Sequence, residues 1–123
     1  MTRINLIDPA LLHTKHLVAE YRELPRIFRL VYEAEQRGLS PKTVRAPTKY
    51  VLGPGHVKFF YDKLGFLSNR FSLLVKECQR RGFKIQHTTH PTIQVARCWW
   101  GDWTPNQEEV SLNRARIADR MPK

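Results

Sequence analysis

The sequence predicts an all-α fold. Two long runs place apolar residues at alternating steps of four and three, the period of a helix with one buried face. Helix punctuation brackets these runs, with Asp8-Pro9 before the first and Gly38 and Gly82 after the first and the second. The expected architecture is a compact single domain over residues 1–123. Two long helices are braced by a third, and long irregular loops join them.

The first helix opens at Asp8-Pro9, an N-cap acid followed by a proline at the first helical position. Leu17, Tyr21, Leu24, Phe28 and Val31 form its buried stripe. Pro25 lies inside that stripe and must kink or split the helix, because it removes a donor and crowds the preceding turn. Gly38 closes the element as a left-handed C-cap. Residues 39–57 read as a loop with a tight turn at Gly53-Pro54-Gly55, and Tyr50-Val51-Leu52 has room for a short extended piece.

The second helix carries Phe60, Leu64, Leu67, Phe71, Leu74 and Cys78 on one stripe. Cys78 therefore reads as a small buried hydrophobe. Lys76, Arg80 and Arg81 gather at its C-terminal end, where they favour the helix dipole, and Gly82 ends it. Residues 83–103 are irregular and hold all the tryptophan: Trp99, Trp100 and Trp103. They are equally suited to a core and to stacking on a base. The third helix starts near Thr104-Pro105, with Gln107 completing a capping box, and runs to about Met121. Its apolar face is thin, being Val110, Ile117 and Met121.

The chain has 123 residues, a formal net charge of +10 and a pI of about 10.1. No apolar run approaches the ~20 residues of a membrane span. Asp8, Pro9 and His13 interrupt the apolar residues that a signal peptide would need. Only Cys78 and Cys98 are present, which fits a reducing compartment and a cytoplasmic location. Residues 1–37 net +1. Residues 38–90, with ten bases against two acids, net +8, and residues 91–123 net +1. A basic middle third points to a polyanion partner.

Several chemistries find no support. His13/His16 and His87/His90 have H-x-x-H spacing but no accompanying cysteine or acid, so no metal site is expected. No phosphate-binding loop, dinucleotide fingerprint, G-x-S-x-G or C-x-x-C is present. Glu23 is more informative. It borders a row of guanidinium groups, Arg22, Arg26 and Arg29, on the first helix. Its spacing fits an ion pair with Arg26 at i, i+3 and equally a carboxylate with a chemical task in an anion-binding groove. The N-terminus is the second candidate. Removal of Met1 before the small Thr2 would free an α-amine, with an ordinary pKa near ~7.7–8.0. Nearby Arg3, Arg22 and Arg26 would favour its neutral form, which can form a Schiff base with a sugar carbon. A retained Met1 would make that amine an amide and block the chemistry.

Several stretches together resemble the bacteriophage endonuclease V family of pyrimidine-dimer DNA glycosylases and AP lyases. They are Met1-Thr2-Arg3-Ile4-Asn5-Leu6, His16-Leu17-Val18-Ala19-Glu20-Tyr21-Arg22-Glu23-Leu24-Pro25-Arg26, and Leu52-Gly53-Pro54-Gly55-His56-Val57-Lys58-Phe59-Phe60-Tyr61-Asp62-Lys63-Leu64. Glu77-Cys78-Gln79-Arg80-Arg81-Gly82-Phe83 and the Gly101-Asp102 turn before Pro105 add to them. The resemblance runs from residue 1 to about 89 and then more loosely.

The resemblance implies an N-terminal segment that threads between helices to the active site. It implies that the Thr2 amine attacks C1′ and that elimination then nicks the strand. Glu23 would stabilise the developing cation and help move protons. It implies DNA contacts from Arg3, His16, Arg22, Arg26, Arg116 and Arg120. It also implies damaged double-stranded DNA as partner, no cofactor, a monomer, and the cytoplasm of a bacterial or phage-infected cell. The family's phage enzyme carries an aromatic C-terminal tail near the lesion that these 123 residues do not contain, and a polar residue common after Arg70 is Phe71 here. Three readings therefore stand: a dimer-specific glycosylase/lyase, an enzyme for another lesion or for abasic sites only, and a non-catalytic basic DNA-binding protein.

Overall fold

The computed structural model describes residues 2–121, and among them regular structure is helical throughout. A 3-10 turn at Pro9–Leu11 leads into α1 (Thr14–Glu23) and α2 (Pro25–Gln36). Then follow α3 (His56–Phe59), α4 (Leu64–Arg80), a second 3-10 turn at Arg97–Trp99 and α5 (Gln107–Asp119). The all-α expectation holds, but with more elements than three helices. Asp8 does cap a helical turn, by accepting from the Ala10 amide, yet that turn ends at Leu11. His13 caps α1 separately, its Nδ1 accepting from the Lys15 amide.

Pro25 splits the first long helix rather than kinking it. It takes the first position of α2, where its missing N–H costs nothing. Gly38 and Gly82 sit just past α2 and α4 at φ +83° and +84°, the left-handed stops read from the sequence. A single helical turn, α3, forms within and beyond the expected loop, and Phe60 lies between it and α4. Tyr50-Val51-Leu52 forms no strand.

Both stripes face each other. Leu17, Leu24, Phe28 and Val31 are buried against Leu64, Leu67, Phe71, Leu74 and Cys78, while half-buried Tyr21 stacks on Phe71 with centroids 5.6 Å apart. Ile4 is also fully buried, so the N-terminal segment belongs to the core. The tryptophans pack on the core, Trp99 fully and Trp100 and Trp103 in part. Trp99 is buried and donates its indole N–H to Glu35 at 2.9 Å. Trp103 packs its edge on Phe59 and Phe66 and stacks on Tyr50. Trp100 lies tilted against Phe28.

This aromatic segment also starts α4. The Gly101 carbonyl accepts from the amides of Gly65 and Phe66 at 3.1 and 3.3 Å, two donors that a helix start leaves open. A side chain at Gly101 would meet the Asp62 carbonyl at 2.4 Å, so only glycine allows that approach.

The start of α5 differs from expectation. Asn106, not Thr104, is the cap. Its side chain accepts from Glu109 N, and the Glu109 carboxylate accepts in return from Asn106 N, each at 2.8 Å. Pro105 precedes the cap rather than following it. Asn106→Ala is expected to lower stability by ~1 kcal/mol in urea titration; an unchanged midpoint would remove the cap from the account. Ile117 is the buried residue of the expected α5 face, whereas Met121 is exposed.

Candidate active site

The Pro25 break decides where Glu23 goes. Glu23 is the last residue of α1 and stands one residue before Pro25, the first of α2. Its side chain is 30% exposed. Glu23 Oε2 accepts from the Arg26 guanidinium and, at 3.3 Å, from the Thr2 hydroxyl. The hydrogen bond from Arg26 is the main reason its carboxyl is held below the ordinary 4.5. The i, i+3 ion pair and the meeting with the N-terminus therefore coexist on one oxygen.

Thr2 is brought there by a segment fixed along its length. The Ile4 amide donates to His56 Nε2 at 2.8 Å, and the Tyr50 hydroxyl donates to the Ile4 carbonyl at 3.3 Å. The Leu6 amide donates to Asn113 Oδ1 at 2.7 Å. Between them, Asn5 accepts from Asn113 and donates to Glu20, each at 2.9 Å. Glu20 in turn is held by Arg70 through two bonds of 2.8 and 3.0 Å, and Arg70 also donates to the Ile7 carbonyl. Glu20 and Arg70 are buried, so each needs the other. The threaded N-terminal segment is thus present. Met1, whose removal the chemistry needs, lies outside the described residues.

The predicted basic residues surround this point. Arg3 is half-buried, and its guanidinium is lowered below its ordinary value by burial first and then by the charges of Arg116 and Arg120. His16 donates from Nε2 to the Arg120 carbonyl at 3.1 Å and lines a small cavity of about 100 Å³ with Arg3, Glu20 and Glu23. Thr2, Arg26 and Arg29 share a wider cleft of about 390 Å³. Arg22 is not gathered at the Glu23 carboxylate. It lines the neighbouring cleft with Tyr21, Phe71 and His87, which meets the first at Pro25, Arg29 and Pro91.

The charge excess of residues 38–90 does not map simply onto this surface. Arg70 is buried on Glu20, and Arg80 and Arg81 both bind Glu77, pulling its carboxyl down to about 2. The arginines around Thr2 come instead from the two ends of the chain, which net only +1 each.

The profile of the pyrimidine dimer DNA glycosylase family matches residues 1–91. This chain belongs to that family. The glycosylase has DNA as its substrate, and the matched span contains Thr2, Glu23, His56 and Arg70. Asn113, Arg116 and Arg120 lie beyond it, yet α5 brings them to the same place. Among the described residues, no helix of the glycosylase is long and apolar enough to cross a membrane.

Sequence reasoning missed the supports: Asn5, Glu20, His56, Arg70 and Asn113. Glu20 carried a usable signal, since it lies on the helix face that bears the apolar stripe, three residues after Leu17. His56 carried one in the Gly-Pro-Gly turn that delivers it.

Proposed function

We propose that this glycosylase is bifunctional, a glycosylase and AP lyase acting on cyclobutane pyrimidine dimers in duplex DNA. The observation that carries this reading is the Thr2 hydroxyl 3.3 Å from Glu23, at the end of a segment fixed within the core. Binding alone requires neither an acid amid arginines nor a buried path for the N-terminus.

With Met1 removed, the neutral Thr2 amine attacks C1′ of the damaged nucleotide. The C1′–N bond breaks and the base leaves with the electron pair and a proton. The C1′–O4′ bond then opens, O4′ taking a proton, and an iminium links Thr2 to the sugar. Loss of a C2′ proton then breaks the C3′–O bond and nicks the strand. Glu23, kept ionised by Arg26, stabilises the cationic sugar and iminium and accepts or returns protons. Arg3, His16, Arg22, Arg26, Arg116 and Arg120 hold the phosphates, so binding weakens steeply with salt.

The test is borohydride trapping of the processed protein on duplexes carrying a dimer, an abasic site or no damage. A covalent adduct at Thr2 on the dimer duplex, and none on intact DNA, is expected. Trapping on the abasic site alone would move the reading to a lyase. No adduct on either would leave a binding protein.

A further inference from the structure

The hold nearest Thr2 is His56, the first residue of α3, which is 2% exposed. Its Nδ1 lies 2.8 Å from the Val51 carbonyl and its Nε2 lies 2.8 Å from the Ile4 amide nitrogen. A carbonyl oxygen only accepts, so Nδ1 carries the hydrogen. An amide N–H only donates, so Nε2 carries the lone pair. One form alone makes both contacts, the neutral imidazole protonated at Nδ1. A second proton at Nε2 would set N–H against N–H.

The surroundings disfavour that proton as well. Arg3 from the N-terminal segment and Arg116 from α5 face the ring, against Glu20 from α1. Tyr50 and Phe60 close round it edge-on, at centroid distances of 5.4 and 5.5 Å. Burial first puts the His56 value below its ordinary 6.5, against the opposing Val51 hydrogen bond and the Glu20 charge, with the two arginines adding to burial.

We propose that His56 is a positioning residue whose protonation releases the N-terminal segment, so that His56, rather than Glu23, adds an acid-side loss of activity beyond protonation of the Thr2 amine itself. This rests on the reading of the Thr2 amine as nucleophile. Ile4 is two residues from Thr2, so loss of its amide contact frees the end that must meet Glu23. A group whose value is lower when docked than when free supports docking fully above 6.5, and that support fades as the pH falls below 6.5 towards the docked value. Glu23, held below 4.5, is still charged where this fading begins.

The experiment compares wild type, His56→Ala and His56→Gln in single-turnover cleavage from about pH 5 to pH 8. Amide hydrogen exchange at Ile4 and NMR titration of the His56 ring are measured without DNA. Wild-type cleavage should fall in two steps, first as the Thr2 amine gains its proton and again below about pH 6.5. His56→Ala should cleave at least roughly tenfold more slowly at every pH, with DNA affinity within about threefold. His56→Gln offers an acceptor that does not titrate. It should recover part of the rate and lose the lower step, keeping that of the Thr2 amine.

A lower step unchanged in the glutamine variant, or a wild-type rate in the alanine variant, overturns the proposal. If the variants do not fold, the wild type decides. Ile4 protection lost along the His56 titration supports the proposal, and protection constant through it overturns it. These measurements without DNA stand even if no covalent adduct forms, so failure of the clamp is distinguishable from failure of the amine mechanism.

Discussion

Glu23→Gln is expected to bind damaged duplex DNA about as well as wild type and to cleave it at least ~100-fold more slowly. The amide has nearly the shape of the carboxylate, and its oxygen can still accept from Arg26 and Thr2. What it lacks is the negative charge. The carboxyl is held below its ordinary value chiefly by the Arg26 hydrogen bond, so at neutral pH the wild-type group is an anion. On the proposed mechanism, an anion beside the Thr2 amine would stabilise a sugar that becomes cationic as the base leaves, and would take a proton during elimination. The same anion repels phosphate, so its loss does not weaken binding. Fluorescence anisotropy with single-turnover nicking separates the two effects. A variant that nicks at the wild-type rate would remove Glu23 from the chemistry.

Arg70→Ala is expected to cost about 3–5 kcal/mol of stability, because it strands the buried Glu20 carboxylate. Glu20 would keep only Asn5 as a partner, and the Ile7 carbonyl would lose its donor. The double variant Glu20→Gln/Arg70→Met should recover most of that loss, since it removes both charges and keeps the volume. Urea unfolding of the three proteins measures this. A loss below ~1 kcal/mol in Arg70→Ala would mean that water reaches Glu20. The surface pair Glu23–Arg26 has no such leverage on stability, because solvent screens it.

The two stripes were legible because helical burial repeats at a fixed spacing. Leu17, Leu24, Phe28 and Val31, like Leu64 to Cys78, can be read as core from separation alone. The identity of the asparagine that caps α5 was not, since Thr104 with Gln107 and Asn106 with Glu109 both satisfy the same local rule. The supports of the site were out of reach for another reason. Asn5 meets Asn113 across 108 positions, and Glu20 meets Arg70 across 50. A polar residue destined for burial looks like any surface residue until its partner is placed.

Charge showed the same divide. Counting by segment put the basic excess in residues 38–90, yet Glu20 takes its counter-charge from that segment and Glu77 takes two more. The arginines left around Thr2 come from the ends of the chain.

The sequence by itself determined the helices, their buried faces and a carboxylate among arginines, because each follows from spacing along one chain. Only the tertiary structure decided that Thr2 lies against Glu23 and that His56 meets the Ile4 amide. Both require separate elements to meet, and that depends on packing rather than on local pattern.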